Sequence, residues 1–298
     1  MLRLKPALTY AQQIERLKNA HNLLITDDAD ALEILKKVNY YRLSAYGIGL
    51  FQENDKEKYV DGTSLEHLYR LHEFDSVFRN KLIHVIEQIE IQLRAQLSNF
   101  IALKYGPEGY VDETHFEYKK LKNGKSVHAM LMENFLKEQE RQKNVPFVKH
   151  HMNKYDGHFP MWAAVELFTF GNLSSLYSIM VLDDRKEIAR LYNTDPKYLG
   201  SWILALVELR NICAHYGRLY NMPLKQTPRL YSEHQKYRVG TLNKIFPALL
   251  SIKRMLNSDE RWYSFEIQLE KLIDNYSDII QLPCMGFPEE WKDVLSRK

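Results

Sequence analysis

Residues 65–100 read LEHLYRLHEFDSVFRNKLIHVIEQIEIQLRAQLSNF and carry the longest unbroken amphipathic pattern in the chain. Their apolar side chains recur at intervals of three, four or multiples of these, and no Pro or Gly intervenes before Gly106. This spacing predicts one helix of roughly 35–40 residues, about 55 Å long at 1.5 Å per residue. A capping box over residues 63–66 predicts its start. A helix of this length is typical of the spine of a helical bundle.

Shorter helices are predicted on both sides of this spine. Before the spine, the signals are a capping box at Thr9–Gln12 and a cap at Asp27 or Asp28. After it, Ser126 caps a helix to about Lys143, and another helix starts at Pro160 and ends at Gly171, with Asn172 as the next cap. Further helices start at Asp195–Pro196, run over about 239–256 and 259–277, and begin at Pro288 for a short last one. No strand–helix alternation is found. The sequence therefore predicts an all-α bundle with one long helix, about 64–100, and additional N- and C-terminal helices.

The predicted organisation has three parts. Residues 1–62 form an N-terminal helical segment, residues 63–277 the helical core, and residues 278–298 a C-terminal tail with a short helix. The chain has 298 residues, 45% of them hydrophobic and 27% charged, with only 12 Gly and 10 Pro. This composition is that of a globular protein and argues against disorder and against a turn-rich β-sandwich.

The expected location is the cytoplasm. The first six residues contain no apolar signal-peptide core, and the longest apolar runs are too short to cross a bilayer. Cys213 and Cys284 lie 71 positions apart, which suggests neither a metal knuckle nor a disulfide scaffold. No membrane partner is expected.

Positive charge is concentrated in two segments although the net charge is only +3. Residues 117–154 hold nine Lys or Arg and four Asp or Glu, and residues 208–254 hold nine Lys or Arg and two Asp or Glu. Such segments on a mildly acidic body suit a polyanion. They are equally compatible with two solvated helix faces.

The string RNICAHYGRLYN, residues 210–221, carries the candidate chemistry. Arg210 offers a planar cation that matches phosphate oxygens, and His215 titrates near neutral pH and can transfer a proton. Cleavage of RNA through its own 2′-OH needs proton transfer and stabilisation of charge on the phosphorane, which an imidazole and a guanidinium can supply without a metal. DNA lacks the 2′-OH, so this chemistry selects RNA.

The spacing constrains this interpretation. On one straight helix, Arg210 and His215 would lie about 140° apart. Either a helix break near Ala214 or a two-fold dimer that brings two motifs together would allow an Arg and a His to face the same phosphate. The dimer is favoured because the reaction transfers two protons and one motif supplies only one His. The structural alternative is that Arg210 pairs with a carboxylate and His215 is a core histidine. Cys213 is interpreted as a packing residue.

The whole string resembles the signature of HEPN-domain proteins, specifically the Abi-like abortive-infection family of AbiD/AbiF type. Similar blocks occur in the same order elsewhere in the chain, over roughly residues 4–225; they are residues 5–10, 39–46, 86–94, 159–162 and 170–173. The stretch after Pro228 matches less distinctly.

This resemblance implies an all-α HEPN ribonuclease, usually dimeric, that acts in phage defence as a toxin by cleaving RNA or halting growth. The family's Arg and His fall on Arg210 and His215, and the polar residue after the Arg falls on Asn211. Some members associate with a small structured RNA. Control by such an RNA or by an antitoxin is expected on the same ground.

Acidic and basic residues elsewhere are candidates to support Arg210. Glu87, Glu90 and Arg94 lie on the long helix, where Glu90 and Arg94 form an i,i+4 pair. They are either a brace that holds Arg210 toward a phosphate or a purely structural pair. Glu166 needs a partner if it is buried, and Arg210 is a candidate partner.

Further residues are candidates for binding RNA. Tyr41, Arg42 and Tyr216 mix aromatic rings with a cation, which suits stacked bases, although neighbouring aromatic residues such as Tyr40 and Tyr46 also suit a core. Arg218 is the expected phosphate contact. The histidines 150, 151 and 158 suit solvent or phosphate better than a metal, so no metal and no cofactor is predicted.

Three functions remain open at this point. The first is a metal-independent endoribonuclease that leaves 2′,3′-cyclic phosphate ends. The second is a non-catalytic module that holds a structured small RNA. The third is a phage-sensing interaction protein.

Overall fold

The computed structural model describes residues 6–237, 239–241, 243–256 and 258–296. Within these ranges the chain forms fourteen α-helices and four short 3-10 helices, and its only β-pairs are isolated bridges. The all-α prediction is confirmed. The quoted block at residues 5–10 begins one residue before the described part, and residues 1–5 of the predicted N-terminal segment lie outside it.

The α-helices are α1 (Tyr10–Asn19), α2 (Asp28–Lys37), α3 (Tyr40–Ser44), α4 (Leu65–Tyr105), α5 (Val127–Arg141), α6 (Pro146–Lys154), α7 (Met161–Ala164), α8 (Phe170–Ile179), α9 (Leu182–Arg190), α10 (Pro196–Ala214), α11 (Ser232–Gln235), α12 (Ile245–Leu256), α13 (Asp259–Asn275) and α14 (Trp291–Ser296). The 3-10 helices are Ala45–Gly47, Glu113–His115, Val165–Leu167 and Leu282–Met285.

Helix α4 is the spine that the sequence predicts, and it is slightly longer than expected. It has 41 residues, or about 60 Å at 1.5 Å per residue. The hydroxyl of Ser64 accepts a hydrogen bond from the His67 N–H at its start, and Gly106 ends it at a φ of 87°. Its buried stripe packs against α7, α10, α12 and α13, so most of the core is built around this one helix.

The prediction that Gly171 ends a helix is wrong. Helix α7 stops at Ala164, a 3-10 turn follows, and Gly171 lies in the first turn of α8. Thr169 caps α8, since its Oγ1 accepts from the Asn172 N–H at 3.1 Å. A threonine in that position supplies the acceptor that the first turn needs, which moves the helix start ahead of the glycine.

The C-terminal helices are shorter than the sequence suggests. The predicted helix 239–256 is formed only over Ile245–Leu256, and the predicted 259–277 ends at Asn275. Leu242 and Asn257 lie outside the described residues. No helix in the described part of the chain is long and apolar enough to serve as a transmembrane span.

A buried ion pair lies on α4 between Asp75 and Arg79. Asp75 is fully buried and Arg79, one turn later, is 4% exposed; Arg79 Nη1 donates to Asp75 Oδ2 at 2.5 Å. The Tyr46 hydroxyl donates to the same carboxylate at 2.8 Å. Burial raises the pKa of Asp75, and the Arg79 guanidinium opposes that rise.

The same pair holds the chain that follows α10. The backbone N–H groups of Leu219 and Tyr220 donate to Asp75 at 3.1 and 2.8 Å, and Arg79 donates to the Gly217 carbonyl at 3.2 Å. All of the acceptor capacity of Asp75 is therefore used inside the protein. The pair fixes the path of residues 217–220 on the surface of α4.

Replacing Asp75 by Ala should lower the free energy of unfolding by about 3–5 kcal/mol, because Arg79 would remain buried without its counterion. Urea unfolding followed by circular dichroism measures this loss. Glu33→Ala is the control, because Glu33 is exposed and pairs with Lys36 at a similar helical spacing. Equal midpoints for the two variants would contradict the structural role given to Asp75.

Candidate functional site

The motif predicted from the sequence lies at the C-terminal end of α10. Arg210 and Asn211 occupy its last turns, the helix ends at Ala214, and His215 is the first residue beyond it. The buried side chains that seat α10 on the core are Leu199, Trp202, Ile203, Ala205, Leu206, Leu209 and Cys213. The helix therefore ends where one of the two alternatives placed a break, although the His215 N–H still donates to the Asn211 carbonyl at 3.0 Å in the helical pattern.

The end of α10 is a tight left-handed cap. The Gly217 N–H donates to the Ile212 carbonyl at 2.7 Å and the Tyr216 N–H to the Cys213 carbonyl at 3.2 Å, which is the Schellman pattern. Tyr216 takes the left-handed position at a φ of 57°, where glycine is usual. A Cβ on Gly217 would lie 2.9 Å from Ile212 Cγ2, so this close approach requires glycine. The cap fixes the backbone that carries His215.

Arg210 is held at the surface by a carboxylate from the spine. Its Nε lies 3.5 Å from Glu90 Oε2, and its Nη1 donates to Asn211 Oδ1 at 3.3 Å. About a third of the Arg210 side chain, 35%, is exposed. A guanidinium has five N–H donors, so further donors are available to an oxygen approaching from solvent.

Glu90 connects Arg210 to the rest of the fold. Arg94 Nη2 donates to Glu90 Oε1 at 2.9 Å, and Arg94 Nη1 donates to the carbonyls of Phe168, at 2.8 Å, and Val165. The carboxylate of Glu90 is mostly buried and is shared by two guanidiniums. One side chain therefore ties together α4, α10 and the turn between α7 and α8.

Two acidic residues predicted to support the site do not reach Arg210. Glu87 and Glu166 are exposed, and neither makes an ion pair with a described residue. Glu166 lies in the 3-10 turn after α7 rather than inside a buried helix, so it needs no partner. Of the carboxylates that the sequence offers to Arg210, Glu90 makes the contact and Glu166 does not.

His215 and Cys213 differ sharply in their access to solvent. The imidazole of His215 is exposed and makes no hydrogen bond within the described part of the chain, so both ring nitrogens are open to a ligand. Cys213 is 5% exposed, and burial raises the pKa of its thiol to about 12. The thiol is protonated at neutral pH and packs in the core. Among these two side chains, only His215 is placed to exchange protons with a ligand.

Two exposed aromatic rings lie on the segments that meet at the end of α10. Tyr41 is 87% exposed and Tyr216 is 71% exposed. Arg42 donates to the backbone carbonyl of Tyr216, which joins α3 to the end of α10. These residues form what we call the aromatic rim: Tyr41, Arg42 and Tyr216.

Two other tyrosines of the same segment belong to the core. Tyr46 is 2% exposed and donates to Asp75, and the Tyr40 hydroxyl lies 3.2 Å from the Tyr59 hydroxyl. Only part of the aromatic segment 39–46 therefore faces solvent.

Arg218, expected to contact phosphate, is directed into the protein. Its Nη1 donates to the Ala45 carbonyl at 2.6 Å, and burial lowers its pKa. Asn221 makes a parallel contact, since its Nδ2 donates to the Ile48 carbonyl at 3.1 Å. Arg218 is thus engaged in holding the N-terminal segment against the loop after α10, and the placement does not favour a phosphate contact.

The histidine cluster is divided among local contacts. His151 stacks on Phe159 with ring centroids 4.7 Å apart, and His158 Nδ1 lies 3.0 Å from Glu108. His150 is exposed. Within the described ranges, no group of three or more His, Cys, Asp or Glu side chains is arranged to hold a metal ion.

Fold and site together define an all-α protein with an Arg and His motif at the end of a helix braced by a long spine. A family model described as Abi-like protein matches residues 33–221. The match covers more than half of the chain and includes α4, the Glu90 brace and the motif, so the chain belongs to the Abi-like family. This membership indicates a role in abortive infection. Comparison with curated proteins and with solved structures gave no match to this chain.

Single substitutions at Tyr216 and at Gly217, both in the cap of α10, should change the stability of the protein in opposite directions. Tyr216→Gly should raise the free energy of unfolding by about 1 kcal/mol, because glycine adopts a positive φ without strain. Gly217→Ala should lower it by about 1–3 kcal/mol, because the new Cβ would collide with Ile212. Thermal and urea unfolding measure both. A shift in the same direction for the two variants would contradict this description of the cap.

Proposed function

We propose that this protein is a metal-independent endoribonuclease of HEPN type that acts in abortive infection. One observation carries the proposal: Arg210 is braced by Glu90 at the surface while the exposed His215 follows at the end of the same helix. An anchored cation and an exposed imidazole at one helix end are suitable groups for cleavage of a phosphodiester.

The reaction uses the nucleophile that RNA carries. His215 removes the proton of the 2′-OH or protonates the departing 5′-oxygen, and Arg210 neutralises charge on the phosphorane. Asn211, whose Oδ1 accepts from Arg210, orients the guanidinium. The products are a 2′,3′-cyclic phosphate and a free 5′-OH. No cofactor takes part in these steps.

A second copy of the chain would complete the acid–base pair. One motif offers one imidazole, whereas the reaction needs a base on one side of the phosphorus and an acid on the other. The exposure of Asn211, His215 and Tyr216 leaves this end of α10 open to such a neighbour. We propose a homodimer in which each chain contributes Arg210 and His215.

The aromatic rim and the positive segments would hold the RNA strand. Tyr41 and Tyr216 expose their rings on segments joined by the contact between Arg42 and the Tyr216 carbonyl, and bases of single-stranded RNA stack on such rings. Binding of this kind weakens as salt rises. Cleavage of cellular RNA would halt growth of an infected cell, so a structured RNA or an antitoxin is the expected restraint.

Cleavage of single-stranded RNA in EDTA tests the proposal. Arg210→Ala and His215→Ala should each lower the cleavage rate by about 10²-fold or more, since each removes a group that acts in the transition state. Both side chains are partly or fully exposed, so the fold should remain intact by circular dichroism. Matched controls are Arg190→Ala and His150→Ala, which replace an exposed Arg and an exposed His away from the motif.

Normal cleavage by Arg210→Ala and His215→Ala would refute this assignment. Salt-sensitive binding of RNA without turnover in the wild type would favour the alternative, a module that holds a structured RNA. Binding to neither RNA nor its fragments would leave the interaction protein as the remaining class.

The brace offers a second test on the same helix. Glu90→Gln removes the charge that holds Arg210 and should lower the cleavage rate by about tenfold with little change in RNA affinity, because the cation is misplaced rather than lost. Glu87→Gln is the control, since Glu87 is exposed and makes no ion pair with a described residue. Equal rates for the two variants would show that Glu90 is not a positioning residue.

A further inference from the structure

A second cleft lies at the opposite end of α10 from the motif. It encloses about 700 Å³ between the turn after α9, the chain around α11, and the ends of α12 and α13 that face each other. Because α10 has 19 residues, its two ends are about 28 Å apart. The cleft is therefore separate from the site that contains His215, and its volume is in the range of small-molecule sites.

An unsatisfied hydroxyl lies in the wall of this cleft. Tyr192 lines the cleft and is only 3% exposed, and its hydroxyl, itself closed off from solvent, has no hydrogen-bond partner among the described residues. Burying a hydroxyl without a partner costs about 1–3 kcal/mol, so such groups are rare unless a ligand or water uses them. The next residue, Asn193, has a φ of 49°, which turns the chain sharply at the cleft.

Cationic side chains converge on the same cleft. Arg254 Nη2 lies 3.2 Å from Glu233, and its guanidinium lies over the Tyr231 ring at 5.3 Å. The ammonium of Lys236, an exposed residue, lies over the neighbouring Tyr237 ring at 4.9 Å. Their guanidinium and ammonium groups suit a phosphate.

The cleft wall also contains a partly buried cation and imidazole. Lys253 donates to the Leu295 carbonyl at 2.5 Å, and burial lowers its pKa. Burial also lowers the pKa of His234. Both groups are partly shielded from water, where a bound anion would gain more from a nearby cation than it would at an open surface.

Hydrogen-bond acceptors line the cleft as well as cations. The carboxylates of Glu233 and Asp259 line the cleft beside these cations, together with Ser258, whose hydroxyl caps α13 by accepting from the Arg261 N–H at 3.3 Å. A simple anion has no use for two carboxylates. A nucleotide does, because its ribose hydroxyls and base amino groups are donors while its phosphate is an acceptor.

We propose that this cleft binds a nucleoside monophosphate. Arg254 and Lys236 hold the phosphate, Glu233 or Asp259 accepts from the ribose or base, and the Tyr192 hydroxyl gains its missing partner. The site is independent of RNA cleavage at the motif.

Thermal unfolding of the full chain with added AMP, GMP, CMP or UMP tests this proposal. At saturating millimolar concentrations at least one of these should raise the midpoint, since a ligand that binds only the folded state stabilises it. Inorganic phosphate alone should act weakly and the matching nucleoside alone should not act. Absence of a shift with all four nucleotides would overturn the proposal.

Variants locate the binding by calorimetry. Arg254→Ala and Lys236→Ala should each weaken affinity by about tenfold, as expected for a charge-assisted hydrogen bond. Arg190→Ala and Lys137→Ala are the matched controls, because both replace exposed cations outside the cleft. Equal losses in variants and controls would show that the nucleotide binds by general charge only.

Tyr192→Phe gives a readout that misfolding cannot imitate. Removing an unpartnered buried hydroxyl should leave the free protein as stable as the wild type or more stable, while affinity for the nucleotide falls about fivefold. His215→Ala should bind the nucleotide normally. Binding that is lost in His215→Ala and retained in Arg254→Ala would place the nucleotide at the motif and overturn the proposal.

Discussion

The ion pair of Asp75 and Arg79 is the constraint on which the motif depends. It is buried inside the spine, and it accepts the backbone N–H groups of Leu219 and Tyr220 while donating to Gly217. A charge of this kind tolerates burial only when each of its contacts is made. The chain after α10 has accordingly one path, and the position of His215 follows from it.

Glu90 plays a corresponding part three to four turns further along the same helix. It lies on the side of α4 that faces α10, and its carboxylate contacts both Arg94 and Arg210. Arg94 also donates to carbonyls of the turn between α7 and α8, whereas Arg210 is partly open to solvent. The spine therefore presents two polar anchors, one for the backbone behind the motif and one for its cation. Between them, the surface end of α10 has little freedom to rearrange.

Local sequence patterns were sufficient to predict the helices and the position of the motif. The contacts between residues far apart in the chain could not be predicted from them. The apolar stripe from Leu65 to Phe100 and the caps at Thr9 and Ser126 predict helices because their causes lie within a few residues. The sequence offers both Glu90 and Glu166 as carboxylates for Arg210, and the choice between them depends on how α4 and α10 pack. The importance of Asp75 and Arg79 also depends on the long-range contacts to residues 217–220, although two charges one turn apart on an apolar face are a usable signal in the sequence.

The N-terminal segment grips the loop after α10 through Arg42, Arg218 and Asn221, in contacts that span more than 170 positions of the chain. During synthesis, the Arg42 guanidinium and the carbonyls of Ala45 and Ile48 leave the ribosome long before the loop that meets them. No nascent chain interrupted before residue 215 contains both halves of this grip. The backbone around the motif is therefore held by these contacts only in a chain that includes both segments.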